Sequence, residues 1–370
     1  MNSDFLRLLG ERVVVLDGGM GTSLHRYHPT ADDWGYSPDG RSLMNLSDAL
    51  AFTRPEWVRD IHRGFFAVGC DAVETNTFNA SRLVLADFGM ADRLDEINRL
   101  NVRLAKEAAA EFSTPDQPRF VVGSVGPGTK MPSVLNESIY ADFDTLADSY
   151  RPQLAALVEE GVDALLIETC FDILQAKCVA VTAAEVMREK GVRLPLMVQV
   201  TVDDRTKGQT LLPGTEVAAA LTTLLALPEI DVIGLNCSVG PDLMLAAVKT
   251  LSEGSDRFIS VLPNAGLPLK RGDETYFPLR PEELADWLER FVTEFGVNIV
   301  GGCCGTTPAH LALLVQRIGE RAPATRTPQH EPGCSSVYSH VPFRQDTSFL
   351  VIGERTNANG SKKFREAMLA

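Results

Sequence analysis

Eight short apolar runs, each followed by a longer amphipathic segment, constrain the fold of this chain more than any other feature. The runs occupy 13–17, 72–75, 120–124, 164–168, 196–201, 232–236, 258–262 and 298–302. They are rich in Val, Ile and Leu with little polar alternation, the pattern of strands buried on both faces of a parallel sheet. The segments near 55–68, 92–112, 141–160, 172–190, 215–227, 240–252, 281–295 and 308–318 read as helices. Thr53-Arg54-Pro55-Glu56 and Thr307-Pro308 carry the proline of a first helical turn. Gly69, Gly161 and Gly191 stand where a left-handed helix stop favours glycine. Eight strand–helix repeats predict an α/β fold of the (β/α)8 TIM-barrel type, with a doubly wound open sheet as the alternative. In a barrel, chemistry sits where strands end and the following loops begin, so functional residues are expected at strand C-termini.

The chain has 370 residues, and such a barrel takes about 250. Part of the surplus is the first strand–helix connection, from Asp17 to Pro55, which contains Trp34 and Tyr36. A connection of that length is either a lid or binding element, or a surface insertion with its own small cluster. The barrel and its N-terminal lead are placed at 1–318. The proline-bearing stretch 319–347 reads as a linker or wrapping arm, and 348–370 as the truncated start of a further domain. Lys and Arg number 35 against 49 Asp and Glu, a formal charge of −14. So acidic a chain lacks the basic surface that nucleic acid or anionic membrane requires. Glu11 and Arg12 interrupt the N-terminal apolar run, and no run approaches the ~20 residues of a membrane span. A cytoplasmic location is expected.

The seven cysteines are Cys70, Cys170, Cys178, Cys237, Cys303, Cys304 and Cys334. An odd number without a secretory signal argues for free thiols or metal ligands. Cys237 closes the run DVIGLNC and Cys303-Cys304 closes NIVGGCC. In a barrel these are the ends of strands six and eight, on one rim. Adjacent cysteines make a poor disulfide, whereas three thiolates with one open position suit catalytic Zn2+. The spacing matches no standard zinc ribbon, and buried cysteines also serve as small hydrophobes, so both readings stand at this level. The second is preferred for Cys70, Cys170 and Cys178.

Four motifs then resemble one family. LDGGMGT at 16–22, ETNTF at 74–78, GLNCSVGP at 234–241 and GGCCGTTPAH at 301–310 are similar to zinc-dependent homocysteine S-methyltransferases. IGERTNANGSKKFREA at 352–367 resembles the start of the methyltetrahydrofolate-binding module of cobalamin-dependent methionine synthases. The pair resembles the N-terminal homocysteine-binding module of those enzymes, with the first residues of the folate module. The resemblance implies zinc on Cys237, Cys303 and Cys304. It implies that Asp17 and Glu168 hold the homocysteine ammonium, and that the amides of Gly18, Gly19 and Met20 meet its carboxylate. Glu74, Asn76 and Thr77 line the same rim in this reading. Asn236 orients a ligand from behind, and Asn264 stands by the fourth zinc position. Without the resemblance, the Gly18-Gly19 turn reads as an anion nest of consecutive amides, with a plain tight turn as the lesser alternative, and Asp17 and Glu168 can be an ion-pair member or a helix cap.

The implied reaction is methyl transfer to the homocysteine thiol, giving methionine. The implied donor is methylcobalamin, regenerated from 5-methyltetrahydrofolate; the cobalamin- and folate-binding modules are expected elsewhere in a longer polypeptide. Glu354, Arg355, Asn357 and Asn359 represent the folate module's first residues, too few to form its site. Two alternatives remain: a stand-alone methyltransferase using betaine or S-methylmethionine, and a non-catalytic zinc or redox module. His25, His28, His62, His310, His330 and His340 show no metal-ligand spacing and are read as structural or exposed. His310 lies close enough to the thiol loop to support it.

Overall fold

The computed structural model describes residues 3–272, 274–346 and 359–369. Its central sheet has eight parallel strands: β1 Val14–Val15, β2 Ala72–Glu74, β3 Phe120–Val125, β4 Ala164–Cys170, β5 Leu196–Val200, β6 Val232–Asn236, β7 Phe258–Leu262 and β8 Ile299–Val300. Each is followed by its barrel helix: α1 Pro55–Ala67, α2 Leu94–Phe112, α3 Phe143–Glu160, α4 Ile173–Glu189, α5 Val217–Leu225, α6 Pro241–Gly254, α7 Pro281–Phe295 and α8 Pro308–Ile318. Strand order runs β1-β8-β7-β6-β5-β4-β3-β2, as a (β/α)8 barrel requires. Gly161 and Gly191 adopt left-handed φ after α3 and α4.

Strand residues divide by parity. Val14, Leu16, Phe120, Val122, Leu166, Met197, Val232 and Ile299 fill the barrel interior. Val13, Val15, Val73, Val121, Leu165 and Ile233 pack outward under the helices. The bottom of the interior is closed by a helix at Asp4–Glu11, capped by Ser3, whose Phe5 and Leu9 join the inner cluster. Phe5 meets Phe120 edge-on at 5.3 Å.

No ladder joins β1 to β2 among the described residues, and a carboxylate takes its place. Asp71 donates its amide to the Val15 carbonyl at 2.8 Å and accepts the Val15 amide on Oδ2 at 2.9 Å. Arg12 holds both Asp71 oxygens. At the upper end of this seam Asp17 Oδ1 accepts the Glu74 amide at 3.2 Å.

The long first connection carries short helices at Met20–His25, Ala31–Trp34 and Leu50–Thr53. Its Leu43, Leu46 and Ala49 pack with Ala80, Leu85 and Ile97, a small cluster of its own. The 319–346 arm is packed on the barrel. Arg321 O accepts the Val13 amide, and the Arg326 guanidinium donates to the Ser255 and Arg257 carbonyls. A hairpin of Gly333–Ser335 and His340–Pro342 lies on α5. Of the residues likened to a folate module, Glu354, Arg355 and Asn357 lie outside the described residues, as does the strand-like run that opens the segment. No described helix is long and apolar enough to cross a membrane.

Candidate metal centre and acidic cavity

The C-terminal ends of the strands surround a cavity of about 340 Å³. Thiols line one side and carboxyls the other. Cys237 follows β6 with φ 59°, and Ser238 continues at 63°. Two successive left-handed residues turn the chain back over the rim, a conformation uncommon outside glycine. Cys303 and Cys304 follow β8. Cys303 donates its amide to Pro263 O at 2.8 Å, and Cys304 donates its own to Asn264 Oδ1 at 3.1 Å. Asn264 in turn donates its amide to Val239 O at 3.0 Å, so the loops after β6 and β8 are both fastened to the segment after β7.

The three Sγ atoms lie within 4.8 Å of one another, a group able to hold a metal ion. Cys237 Sγ and Cys304 Sγ are 3.9 Å apart. Two thiolates bound tetrahedrally at about 2.3 Å lie about 3.8 Å apart, so the pair already has a ligand spacing. Left to themselves the thiols share protons. Hydrogen bonds from Cys237 and Cys303 lower Cys304 to about 4, and hydrogen bonds with Cys237 and Cys304 raise Cys303 well above the usual thiol value.

The carboxyl side is built on β2 and β4. Glu168 Oε1 accepts Ser124 Oγ, and its Oε2 accepts Asn236 Nδ2 at 3.0 Å. Asn236 also donates to Thr169 Oγ1 at 2.9 Å and accepts the Thr169 amide at 2.8 Å. Thr169 is held at φ 57° in a bulge of β4, strained for a β-branched residue. Burial raises Glu168 to about 7, against the opposing Ser124 bond. Burial, then the charges of Glu168 and Asp17, raise Glu74 well above its ordinary value. Among the described residues, no Lys or Arg lines the cavity.

The expected site residues divide into cavity walls and supports. Gly18, Gly19, Met20, Glu74, Asn76, Glu168, Asn236, Cys237, Cys303 and Cys304 line the cavity. Asp17, Thr77 and Asn264 stand behind it. Asp17 is buried with Oδ2 unpartnered, and burial raises its carboxyl well above the usual range. Thr77 donates to Ser124 O at 2.7 Å, and Asn264 holds the Cys304 amide. The Gly19 amide, expected at the substrate carboxylate, donates to Cys303 O at 3.0 Å. A Cβ at Gly19 would stand 2.8 Å from that same oxygen, so this turn must be glycine to seat the thiol loop. His310 caps α8 through Thr307 and meets Leu279 O, a structural place away from the thiols.

Several wall residues were absent from the sequence reading. Ser124 and Thr169 end β3 and β4, so the strand-end rule was enough to find them. Asn45, Ser47 and His25 come from the long first connection and carry no local signal. That connection is a wall of the cavity: Asn76 Nδ2 donates to Ser47 O at 2.8 Å, and Asp48 Oδ1 accepts the Asn79 amide at 2.8 Å.

Comparison with known proteins adds three findings. A family model described as homocysteine S-methyltransferase matches residues 14–318. Methionine synthase of Mycobacterium tuberculosis (strain ATCC 25618 / H37Rv) is 43% identical over 369 residues, covering 100% of this chain and 30% of that protein. Methionine synthase of Mycobacterium leprae (strain TN) is 41% identical over 374 residues, with the same coverage. The chain therefore spans about 30% of the length of these curated relatives. The metallated form of the homocysteine methyltransferase MmuM from Escherichia coli superposes with TM-score 0.66 at 23% identity, covering 84% of this chain and 98% of that one. Its oxidized form gives 0.67 at 23%, covering 85% and 100%. At that identity the likeness shows the barrel fold.

Proposed function

Since this chain belongs to the homocysteine S-methyltransferase family, we propose that it methylates the thiol of homocysteine to give methionine, using zinc held by Cys237, Cys303 and Cys304. One observation carries the reading. A single cavity presents three clustered thiols on one side and two carboxyls with no cationic partner on the other. Homocysteine is the matching molecule, with a thiol at one end and an ammonium at the other. Cys237, Cys303 and Cys304 would hold the zinc, which when bound would supply the charge that keeps a thiol ionised at neutral pH.

The chain's own residues do the rest. Glu168, aimed by Ser124 and Asn236, takes the ammonium with Glu74 beside it. Asp17 supports them from behind by fixing the Glu74 backbone. First-turn amides of the Met20–His25 helix face the substrate carboxylate. Asn264 and Gly19 fix the Cys303-Cys304 loop, and Asn236 fixes the residue before Cys237. Asn45 and Ser47 cover the cavity and limit water. The fold family and the 41–43% identity to methionine synthases favour methylcobalamin as donor, bound by a module outside this chain and regenerated from 5-methyltetrahydrofolate by another. In that arrangement 1–318 is the homocysteine module, 319–347 connects it onward, and 348–370 begins the pterin-binding module. Seven unpaired cysteines suit the reducing cytoplasm.

The test joins metal content to turnover. The protein is expected to hold about one zinc per chain and to form methionine from homocysteine and free methylcobalamin, and Cys303→Ala to lose both. Equal activity after zinc removal would overturn the metal role. Turnover with betaine or S-methylmethionine but not methylcobalamin would overturn the donor.

A further inference from the structure

An amino-acid thiol brings three groups to the cavity at the strand ends, and two of them have obvious counterparts. The thiol cluster meets the sulfur, and Glu74 and Glu168 meet the ammonium. The carboxylate is less well served. The glycine turn has one amide fewer than expected, because the Gly19 N–H is spent on Cys303 O at 3.0 Å. Asn76 Nδ2 is likewise spent, on Ser47 O. Arg26 faces a separate groove, with Ser23 and Tyr27. Among the described residues, His25 is the one side chain on the cavity wall that can carry positive charge.

Local structure places that imidazole beside the turn. His25 ends the Met20–His25 helix, and Gly21, four residues back, lies on the same face. Helical side chains lean toward the N-terminus, so His25 covers the turn that holds Gly21 and Thr22. A Cβ at Gly21 would meet nothing within 4 Å, so the space beside it is open. The His25 ring packs on Trp34, 5.6 Å away and inclined at 54°. Trp34 is buried, and its own short helix is closed by a Thr30–Asp33 capping box and tied by Arg54 to Asp33 at 2.6 Å. Neither ring nitrogen of His25 has a hydrogen bond among the described residues. Thr22 Oγ1 accepts the Gly305 amide at 3.1 Å, which fixes the helix to the thiol loop. Imidazole and thiols therefore share one frame.

We propose that His25 takes the carboxylate of the thiol substrate, and so selects amino-acid thiols over plain aminothiols. This rests on the homocysteine reading of the cavity and adds a third contact to it. A neutral imidazole carries one N–H donor and a protonated one carries two, so a donor is present in either charge state. A carboxylate that accepts it gains a charge-assisted hydrogen bond. The ring is exposed, so water keeps the gain modest. Sulfur, ammonium and carboxylate are then each met by a different wall: the thiol loop, the ends of β2 and β4, and the first connection.

The experiment is calorimetric binding of homocysteine, and of its decarboxylated analogue aminopropanethiol, to the zinc-loaded full chain. His25→Ala is expected to weaken homocysteine binding about tenfold and to leave the affinity for the analogue as in the parent. His25→Gln keeps an N–H donor and is expected to recover most of the loss. His25 is exposed, so zinc content and Tm should match the parent in both variants. The proposal is overturned if His25→Ala binds homocysteine as tightly as the parent does. It is also overturned if that variant loses the same factor for both ligands, since His25 would then act only by packing on Trp34. A parent that binds no homocysteine would overturn the methyl-transfer reading itself, and this proposal with it.

Discussion

Glu168→Gln separates the two ends of the cavity. The amide keeps an oxygen for Ser124 and nearly the volume of the carboxylate, so the barrel end loses a charge and little packing. Glu168 is buried, with Ser124 and Asn236 already directed at it. An ammonium bonded there gains a charge-assisted contact worth about 1.5–3 kcal/mol. At about 1.4 kcal/mol per tenfold, its loss weakens homocysteine binding by about 10- to 150-fold. Zinc content should not change, since no thiol position depends on that charge. The assay is calorimetric binding of homocysteine and of its analogue lacking the amino group, to both proteins loaded with zinc. The analogue supplies the thiol without the ammonium, so it is expected to bind both proteins equally. If the variant loses as much affinity for the analogue as for homocysteine, Glu168 acts on the thiol end or on folding, and the ammonium assignment falls.

Two further outcomes follow from buried groups outside the reacting centre. Burial raises Asp48 to about 7, against the opposing Asn79 amide, while the unfolded chain ionises near 4. The folded state then holds the extra proton between these values, and stability falls as pH rises through that window, by up to about 4 kcal/mol for three units. Asp48→Asn cannot ionise, so Tm measured at pH 5 and pH 8 should differ less in the variant than in the parent; an unchanged difference refutes the assignment. Phe5→Ala opens a cavity at the barrel floor, at a cost of about 3–5 kcal/mol, and is expected to lower Tm while leaving zinc content intact. Equal Tm would mean that the Asp4–Glu11 helix does not seal the interior.

The periodic part of the fold was open to reading because it repeats. α7 and α8 begin and end where the sequence placed them, at 281–295 and 308–318, since proline starts both and glycine follows both. β1 and β8 are shorter than their apolar runs, because residues near their upper ends turn early to make the rim: Asp17 accepts the Glu74 amide and Gly302 donates to Asp17 O at 2.9 Å. The Asp4–Glu11 helix was passed over as a lead, although Ser3 followed by Phe5, Leu6, Leu8 and Leu9 is a capped amphipathic turn. The thiol centre was legible through strand-end position and the family motifs. The wall from Asn45 and Ser47 was not, because it depends on bonds across 29 and 31 positions, from Asn76 to Ser47 and from Asn79 to Asp48.

One residue joins the two halves of the cavity. Asn236 ends β6, and the next residue is Cys237; its side chain bonds Glu168 and Thr169 on β4, while its carbonyl accepts Oγ1 of Thr201, the residue after β5, at 2.9 Å. The interval from the thiol cluster to the carboxyl is therefore set by one peptide bond and one side-chain amide. Three further constraints act on the same interval: the left-handed φ of Cys237, the bulge at Thr169, and the Cys304 amide on Asn264. On the proposed function, a cavity so fixed would discriminate by length, because a sulfur and an ammonium could engage both ends only when the chain between them spans the gap. The strained backbone at Thr169 and Cys237 has a use on this account. Relaxing either residue would move one end relative to the other, and strain of this kind persists where the surrounding bonds over-determine it.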